Sequence, residues 1–243
     1  MSKSKIAIIT CAAAIAVASC TQNDSHDDSW SCSGETLYQV GTLKGLLDGG
    51  YDGTVRVQEL KRYGNSGVGT FDRIDGEMVV LNDTVYQCLW DGTVQIADDR
   101  TTVPFADVTV LDADTSFIIS ASENIQSLSE ALDMHIDKNK MYIAALAGEY
   151  NNIKVRSELP QKKKPYKPLA EVMKTDQRFF TYEDIRGTLV ALYTPDSMAE
   201  DTGSGWHFHF ISDDRKKGGH VLELSAKEQT VSLDETPYFE TIK

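Results

Sequence analysis

The chain has 243 residues, 41% hydrophobic and 25% charged, with ordinary glycine, proline and aromatic content. That excludes collagen-like and largely disordered chains and suits one large or two small domains. The formal net charge is -13, and a basic cluster such as Lys162–Lys164 is too short to follow a phosphate backbone, so nucleic acid is excluded as a partner. An acidic protein that takes an anionic substrate needs a local cation, either a metal or a buried arginine.

Lys3 and Lys5 precede an apolar run from Ile6 to Ala18, too short to span a bilayer and of the length of a signal-peptide core. The run ends Val17-Ala18-Ser19-Cys20, which resembles the lipobox of bacterial lipoproteins. The resemblance implies a signal peptide over residues 1–19, lipidation at Cys20, and an exported protein held to a membrane through its lipid anchor. Of the four cysteines only Cys32 and Cys88 then remain unassigned, and an oxidising compartment allows them to pair. Residues 20–36 form the acylated cysteine and a polar, acidic tether too poor in apolar groups to fold.

The folded part begins near Leu37. Val40, Leu43, Leu46 and Leu47 recur at helical spacing up to Gly49-Gly50, and a second short helix is expected over Val57 to Tyr63. Met78 to Leu81, the turn Asn82-Asp83 and Thr84 to Leu89 read as a hairpin, followed by an Asp91-Gly92 turn into Thr93 to Ile96. Phe105 to Leu111 and Phe117 to Ser120 are strands, Asn124 to Met134 a helix, and Met141 to Arg156 one or two strands. Lys162 to Pro168 is a Lys/Pro-rich crossing. It divides a β-rich subdomain over residues 37–161 from a C-terminal metal-binding β subdomain over residues 162–243. The fold class is α+β, mixed or antiparallel and β-rich, with two packed β subdomains, a few helices and a metal site on a C-terminal β-hairpin.

That site is drawn from His207, His209 and His220, three of only five histidines in the chain. On a strand, His207 and His209 point to one side while Phe208 and Phe210 point to the other. A hairpin centred near Asp214 and Arg215 sets His220 opposite His209, and directly opposed residues share a face. Three imidazoles with an open fourth position is the arrangement of a catalytic zinc ion, although iron, copper and nickel also accept imidazole.

The stretch Gly205-Trp206-His207-Phe208-His209-Phe210-Ile211-Ser212-Asp213-Asp214, followed by Gly218-Gly219-His220-Val221-Leu222, resembles the signature of the alpha-acetolactate decarboxylase family. In order along the chain, Leu37 to Val40, Gly50 to Gly53, Gly69 to Phe71, Asp75 to Met78, Pro104 to Ala106, Val155-Arg156 and Thr194 to Asp196 are similar to further segments of that family. The resemblance runs from about Leu37 to Phe239. It implies Zn2+ on His207, His209 and His220, catalytic residues at Thr70, Glu77 and Arg156, and a second catalytic glutamate at Glu235, where the family's Leu-Pro-Glu is altered to Leu233-Asp234-Glu235. It also implies a homodimer, and conversion of 2-acetolactate to acetoin and carbon dioxide in acetoin biosynthesis and the butanediol pathway. In that chemistry the metal is a Lewis acid, Arg156 positions the carboxylate, and Glu77 or Glu235 returns a proton to carbon. Two other readings fit the same residues: a zinc-dependent hydrolase with Glu77 as base, and a non-catalytic lipoprotein that binds a metal or small ligand.

Overall fold

The computed structural model describes residues 34–242. In chain order these form β1 (Thr36–Val40), α1 (Leu43–Leu47), β2 (Val55–Arg56), α2 (Val57–Leu60), β3 (Ser66–Thr70), β4 (Glu77–Leu81), β5 (Thr84–Cys88), β6 (Val94–Ile96), β7 (Thr102–Val103), β8 (Phe105–Thr109), β9 (Thr115–Ile119), α3 (Ile125–Asp133), β10 (Tyr142–Glu158), α4 (Leu169–Thr175), β11 (Gln177–Thr194), β12 (Gly205–Ser212), β13 (Gly218–Glu235) and β14 (Tyr238–Ile242).

Seven strands make one sheet in the order β14-β1-β8-β3-β4-β5-β6, antiparallel except where β14 lies parallel to β1. A second sheet runs β10-β11-β12-β13-β9, and β10 also pairs with β13, so four of its strands close into a ring. The ring is staggered. Pairing leads from Arg156 through His220 and His209 to Val190 and returns to β10 at Ala145. Such a stagger goes with steeply tilted strands around a filled interior.

Period-two alternation decides what each sheet buries. Phe208 and Phe210 point into the ring, with Leu146, Tyr150, Leu189, Val221 and Val231, and α3 packs Leu128 and Leu132 against the same core. On the outer side of the ring, Ile143, Val190, Leu192 and Ile211 meet Leu37, Val68, Val79 and Leu81 of the seven-stranded sheet. The opposite face of that sheet buries Met78, Val80 and Val108 beneath Val57 and Leu60 of α2. The middle layer, sheet against sheet, is the one that reaches the site.

The Asn82-Asp83 hairpin forms as expected, with both residues at positive φ (50° and 62°), the conformation a two-residue turn between twisted strands requires. Helix α3 starts at a capping box in which Asn124 accepts from the Ser127 amide. Two expectations differ in detail. The segment from Val40 to Leu47 is a strand followed by a short helix, because Thr36–Val40 pairs with both β14 and β8 before Thr42 caps α1. The second helix ends at Leu60. Of the one or two strands expected over Met141 to Arg156, one forms, Tyr142–Glu158, with register shifts against β13 between Gly148 and Asn152. The division drawn at residue 162 falls inside the ring, since Lys162 to Pro168 joins β10 to its neighbour β11 and β14 returns to the first sheet. A Lys/Pro-rich loop closing a long hairpin has the composition of a linker. Cys88 is buried; Cys32, Cys20 and the expected signal peptide over residues 1–19 lie outside the described residues.

Asp107 on β8 is 1% exposed and accepts a 2.9 Å hydrogen bond from Gln39 Nε2. Burial pushes its carboxyl up to about 7. The unfolded chain releases this proton near pH 4, so between about pH 4 and pH 7 the folded protein holds a proton that the unfolded chain has lost, and stability falls as pH rises through that window. Asp107→Asn is expected to match the wild type in urea denaturation at pH 4 and to exceed it at pH 8 by on the order of 1–4 kcal/mol. An equal pH dependence of the two proteins would refute the assignment.

Candidate active site

Strand register brings the site together. His209 and His220 are direct partners across β12 and β13, and His220 is in turn the partner of Arg156 on β10. The β12–β13 turn that allows this carries Arg215 at φ 59° and closes through the Ser212 amide on the Lys217 carbonyl. From the other sheet, Thr70 and Glu77 are register partners on β3 and β4 and lie on the face turned toward the ring. Thr70 Oγ1 donates to the Gly76 carbonyl at 2.7 Å, which ties the strand pair at the turn just before Glu77.

The three imidazoles converge. His207 Nε2 lies 3.1 Å from His209 Nε2 and 3.0 Å from His220 Nδ1, and the last two are 3.3 Å apart. Nitrogens bound to one tetrahedral ion at about 2.0–2.1 Å stand about 3.3 Å from each other, so the triangle fits a single metal ion. His209 Nδ1 lies 2.6 Å from the Met78 carbonyl, which can only accept. The Nδ1 proton is therefore committed, and the Nε2 lone pair faces the other two rings, the ligand tautomer with its outer support in place. Burial, reinforced by the Arg156 charge, lowers His207 to about 4, and burial with the neighbouring His207 holds His209 and His220 well below the usual histidine range. All three are thus neutral at pH 7, as ligands must be. Among the described residues no other group of His, Cys, Asp or Glu draws its ligand atoms together in this way.

Beside the triangle, Glu77 Oε2 is 3.4 Å from His209 Nε2, and Arg156 Nε lies 3.6 Å from Glu77 Oε1 and 3.0 Å from Glu158 Oε1. Burial, together with the adjacent Glu158, raises the Glu77 carboxyl well above the ordinary range, against the pull of Arg156. Arg156 Nε and Glu158 Oε1 are both buried, and neither has a hydrogen-bond partner of proper geometry. Unsatisfied buried polar atoms are costly, and their presence in a cavity wall is what a missing ligand leaves behind. That cavity, about 100 Å³, is lined by the histidines, Thr70, Glu77, Arg156 and Glu158 together with apolar groups such as Leu43, Phe105 and Met173. Its volume suits a small molecule.

A family model described as alpha-acetolactate decarboxylase matches residues 37–242. The chain belongs to that family. A relative from Methanosarcina mazei named alpha-acetolactate decarboxylase is 38% identical over 206 residues, 84% of this chain and 71% of the relative. One of the same name from Bacillus subtilis is 32% identical over 200 residues, 82% of this chain and 78% of the relative. A crystal structure of the alpha-acetolactate decarboxylase of Bacillus subtilis strain 168 superposes with a TM-score of 0.82 at 31% identity, covering 85% of this chain and 88% of that one. Membership in the alpha-acetolactate decarboxylase family places the chain among carbon–carbon lyases of the carboxy-lyase type.

Six of the seven expected metal and catalytic residues meet in one place: His207, His209, His220, Thr70, Glu77 and Arg156. Glu235 does not join them. It ends β13 at the far end of the β10–β13 ladder, opposite Tyr142, and its carboxylate accepts from Lys140 Nζ at 2.8 and 2.9 Å. The second carboxyl at the cavity is Glu158, which no motif marked. Its signal lay in alternation, because Arg156 and Glu158 are two apart on one strand and share a face.

Arg156 is the one cation between two buried carboxyls. In metal-free protein, Arg156→Met is expected to cost about 3–5 kcal/mol at pH 8, because it leaves buried carboxylates uncompensated. Arg156 is what pulls Glu77 down, so its loss raises the proton affinity of Glu77 further, and the folded variant keeps a proton that the unfolded chain has released. The deficit must then shrink as the pH falls toward 5. Urea denaturation in a chelator at both pH values checks this, and a deficit independent of pH would show that the charge is not the cause.

Proposed function

We propose that this chain converts 2-acetolactate to acetoin and carbon dioxide, using a zinc ion held by His207, His209 and His220. The observation that carries the reading is the meeting of three neutral, convergent imidazoles with a buried arginine–carboxyl cluster in one small cavity. When bound, the ion supplies a Lewis acid where negative charge develops on the substrate oxygens. The protein's own groups account for the rest. Arg156 offers paired donors to the substrate carboxylate, which the net acidity of the chain otherwise repels. Leu43, Leu46, Phe105, Leu169 and Met173 keep water from the reacting carbons and favour a step in which a carboxylate leaves as a neutral gas. The C–C bond to that carboxylate breaks, its electron pair stays on the substrate as an enediolate, and one of the two carboxyls in the cavity returns a proton to carbon.

Purified protein without tag histidines is expected to bind one equivalent of zinc and to form one acetoin enantiomer from racemic 2-acetolactate, read by chiral chromatography. His209→Ala is expected to lose the metal and at least 100-fold in rate, about the contribution of a single electrostatic or acid–base element. Zinc-loaded protein no faster than spontaneous decarboxylation would instead support a metal-binding protein without this activity.

We further propose that Cys20 carries a lipid that anchors the exported enzyme to a membrane, on the strength of Lys3, Lys5, the apolar run and Val17-Ala18-Ser19-Cys20. In a bacterial host, radiolabelled palmitate is expected to enter the wild type and not Cys20→Ser, and the variant is expected to leave the membrane fraction. A variant that stays with the membrane would contradict the anchor.

A further inference from the structure

We propose that Glu158 is a catalytic residue whose carboxyl delivers the proton that takes the place of carbon dioxide on the substrate carbon. The inference rests on the decarboxylase reading and assigns to Glu158 the part that the sequence offered to Glu77 or Glu235.

Three observations separate the candidate carboxyls. Glu235 is held by Lys140, with the Tyr142 hydroxyl 3.3 Å away, and does not reach the cavity. Glu77 is the carboxyl against the histidines, with Oε2 3.4 Å from His209 Nε2, and its place is beside the metal triangle. Glu158 is 2% exposed and lines the same cavity, and its Oε1 has no hydrogen-bond partner among the described residues although Arg156 Nε is 3.0 Å away. A buried carboxyl oxygen that is ion-paired to Arg156 yet lacks a hydrogen bond at a cavity wall can accept one from a ligand. A substrate whose carboxylate lies against Arg156 brings the carbon bearing that carboxylate next to Glu158.

The step balances. The bond to the carboxylate breaks and carbon dioxide leaves, while its electron pair is held across the adjacent carbonyl as an enediolate. The O–H bond of Glu158 then breaks as the new C–H bond forms on the face that Glu158 occupies. Glu158 is left as a carboxylate and regains a proton from water when acetoin departs, so one solvent proton is consumed per carbon dioxide released. Delivery from one fixed carboxyl makes the product a single enantiomer, since an enediolate has two faces and bulk water chooses neither.

The test compares wild type, Glu158→Gln, Glu158→Asp and Glu235→Gln for zinc content, kcat, KM and the enantiomeric ratio of acetoin. Glu158→Gln is expected to keep one zinc and a nearly unchanged KM, to lose 100- to 10,000-fold in kcat, the usual contribution of a general acid, and to give acetoin approaching a racemate. Glu235→Gln is expected to behave as wild type. A merely structural role for Glu158 would alter zinc content or KM and leave the stereochemistry intact. If Glu158→Gln does not fold, Glu158→Asp replaces it: a lowered kcat with bound zinc supports the assignment. Unchanged kcat and enantiomeric ratio in whichever variant folds overturn it. A wild type no faster than the spontaneous reaction would bring down the decarboxylase reading itself, an outcome distinct from an active wild type with an equally active Glu158→Gln.

Discussion

The site depends on register. His209 opposes His220 across the β12–β13 hairpin, and His220 opposes Arg156 on β10, far away in sequence. Because side chains alternate faces, a slip of one residue between β12 and β13 would turn His220 into the ring while His207 and His209 still pointed out. Two features hold the register. Phe208 and Phe210 fill the ring from the reverse side of the same strand. Gly219, at φ 140°, lets β13 pass so close to β10 that an added Cβ would stand 2.6 Å from the Arg156 carbonyl. The local chemistry of a few residues is therefore fixed by packing on the far side of the strand that carries them.

Neither sheet makes the site alone. The ring contributes the histidines, Arg156 and Glu158; the seven-stranded sheet contributes Thr70, Glu77 and the Met78 carbonyl that fixes the His209 tautomer. The apolar contact between Val79, Val68 and Leu81 on one side and Val190, Leu192 and Ile211 on the other presses the two together. That layer buries ionisable groups in an environment of low dielectric, where each charge needs a counter-charge. Arg156 stands between Glu77 and Glu158 as their shared cation, and the three neutral imidazoles beside them are compatible with a metal ion. Histidines, arginine and the two carboxyls are thus one electrostatic unit.

Sequence reading reached the parts of this arrangement that obey local rules. The His207–His209 alternation, the turn through Asp214 and Arg215 and the His209–His220 pairing follow from strand period and hairpin geometry, and the observed register agrees with them. What failed did so for tertiary reasons. Leu43 and Leu46 have helical spacing that extends back to Val40, yet Val40 is a strand residue because β8 and β14 flank it. Local pattern left Met141 to Arg156 open as one or two strands, and pairing on both sides of β10 makes it one. Glu235 was placed by analogy with a C-terminal motif that this chain alters, and only the ladder shows that it ends beside Lys140. Glu158 carries no motif at all. It becomes a site residue because the ring and the sheet meet over it, which no local pattern encodes.

The central claim is that three histidines on two paired strands hold one metal ion in an open site. X-ray absorption at the zinc edge of the loaded full-length protein tests it most directly. The account predicts three imidazole nitrogens at about 2.0–2.1 Å with one or two light oxygen scatterers completing the shell. Sulfur in the first shell, a closed set of four protein ligands, or a spectrum unchanged in His209→Ala would contradict it.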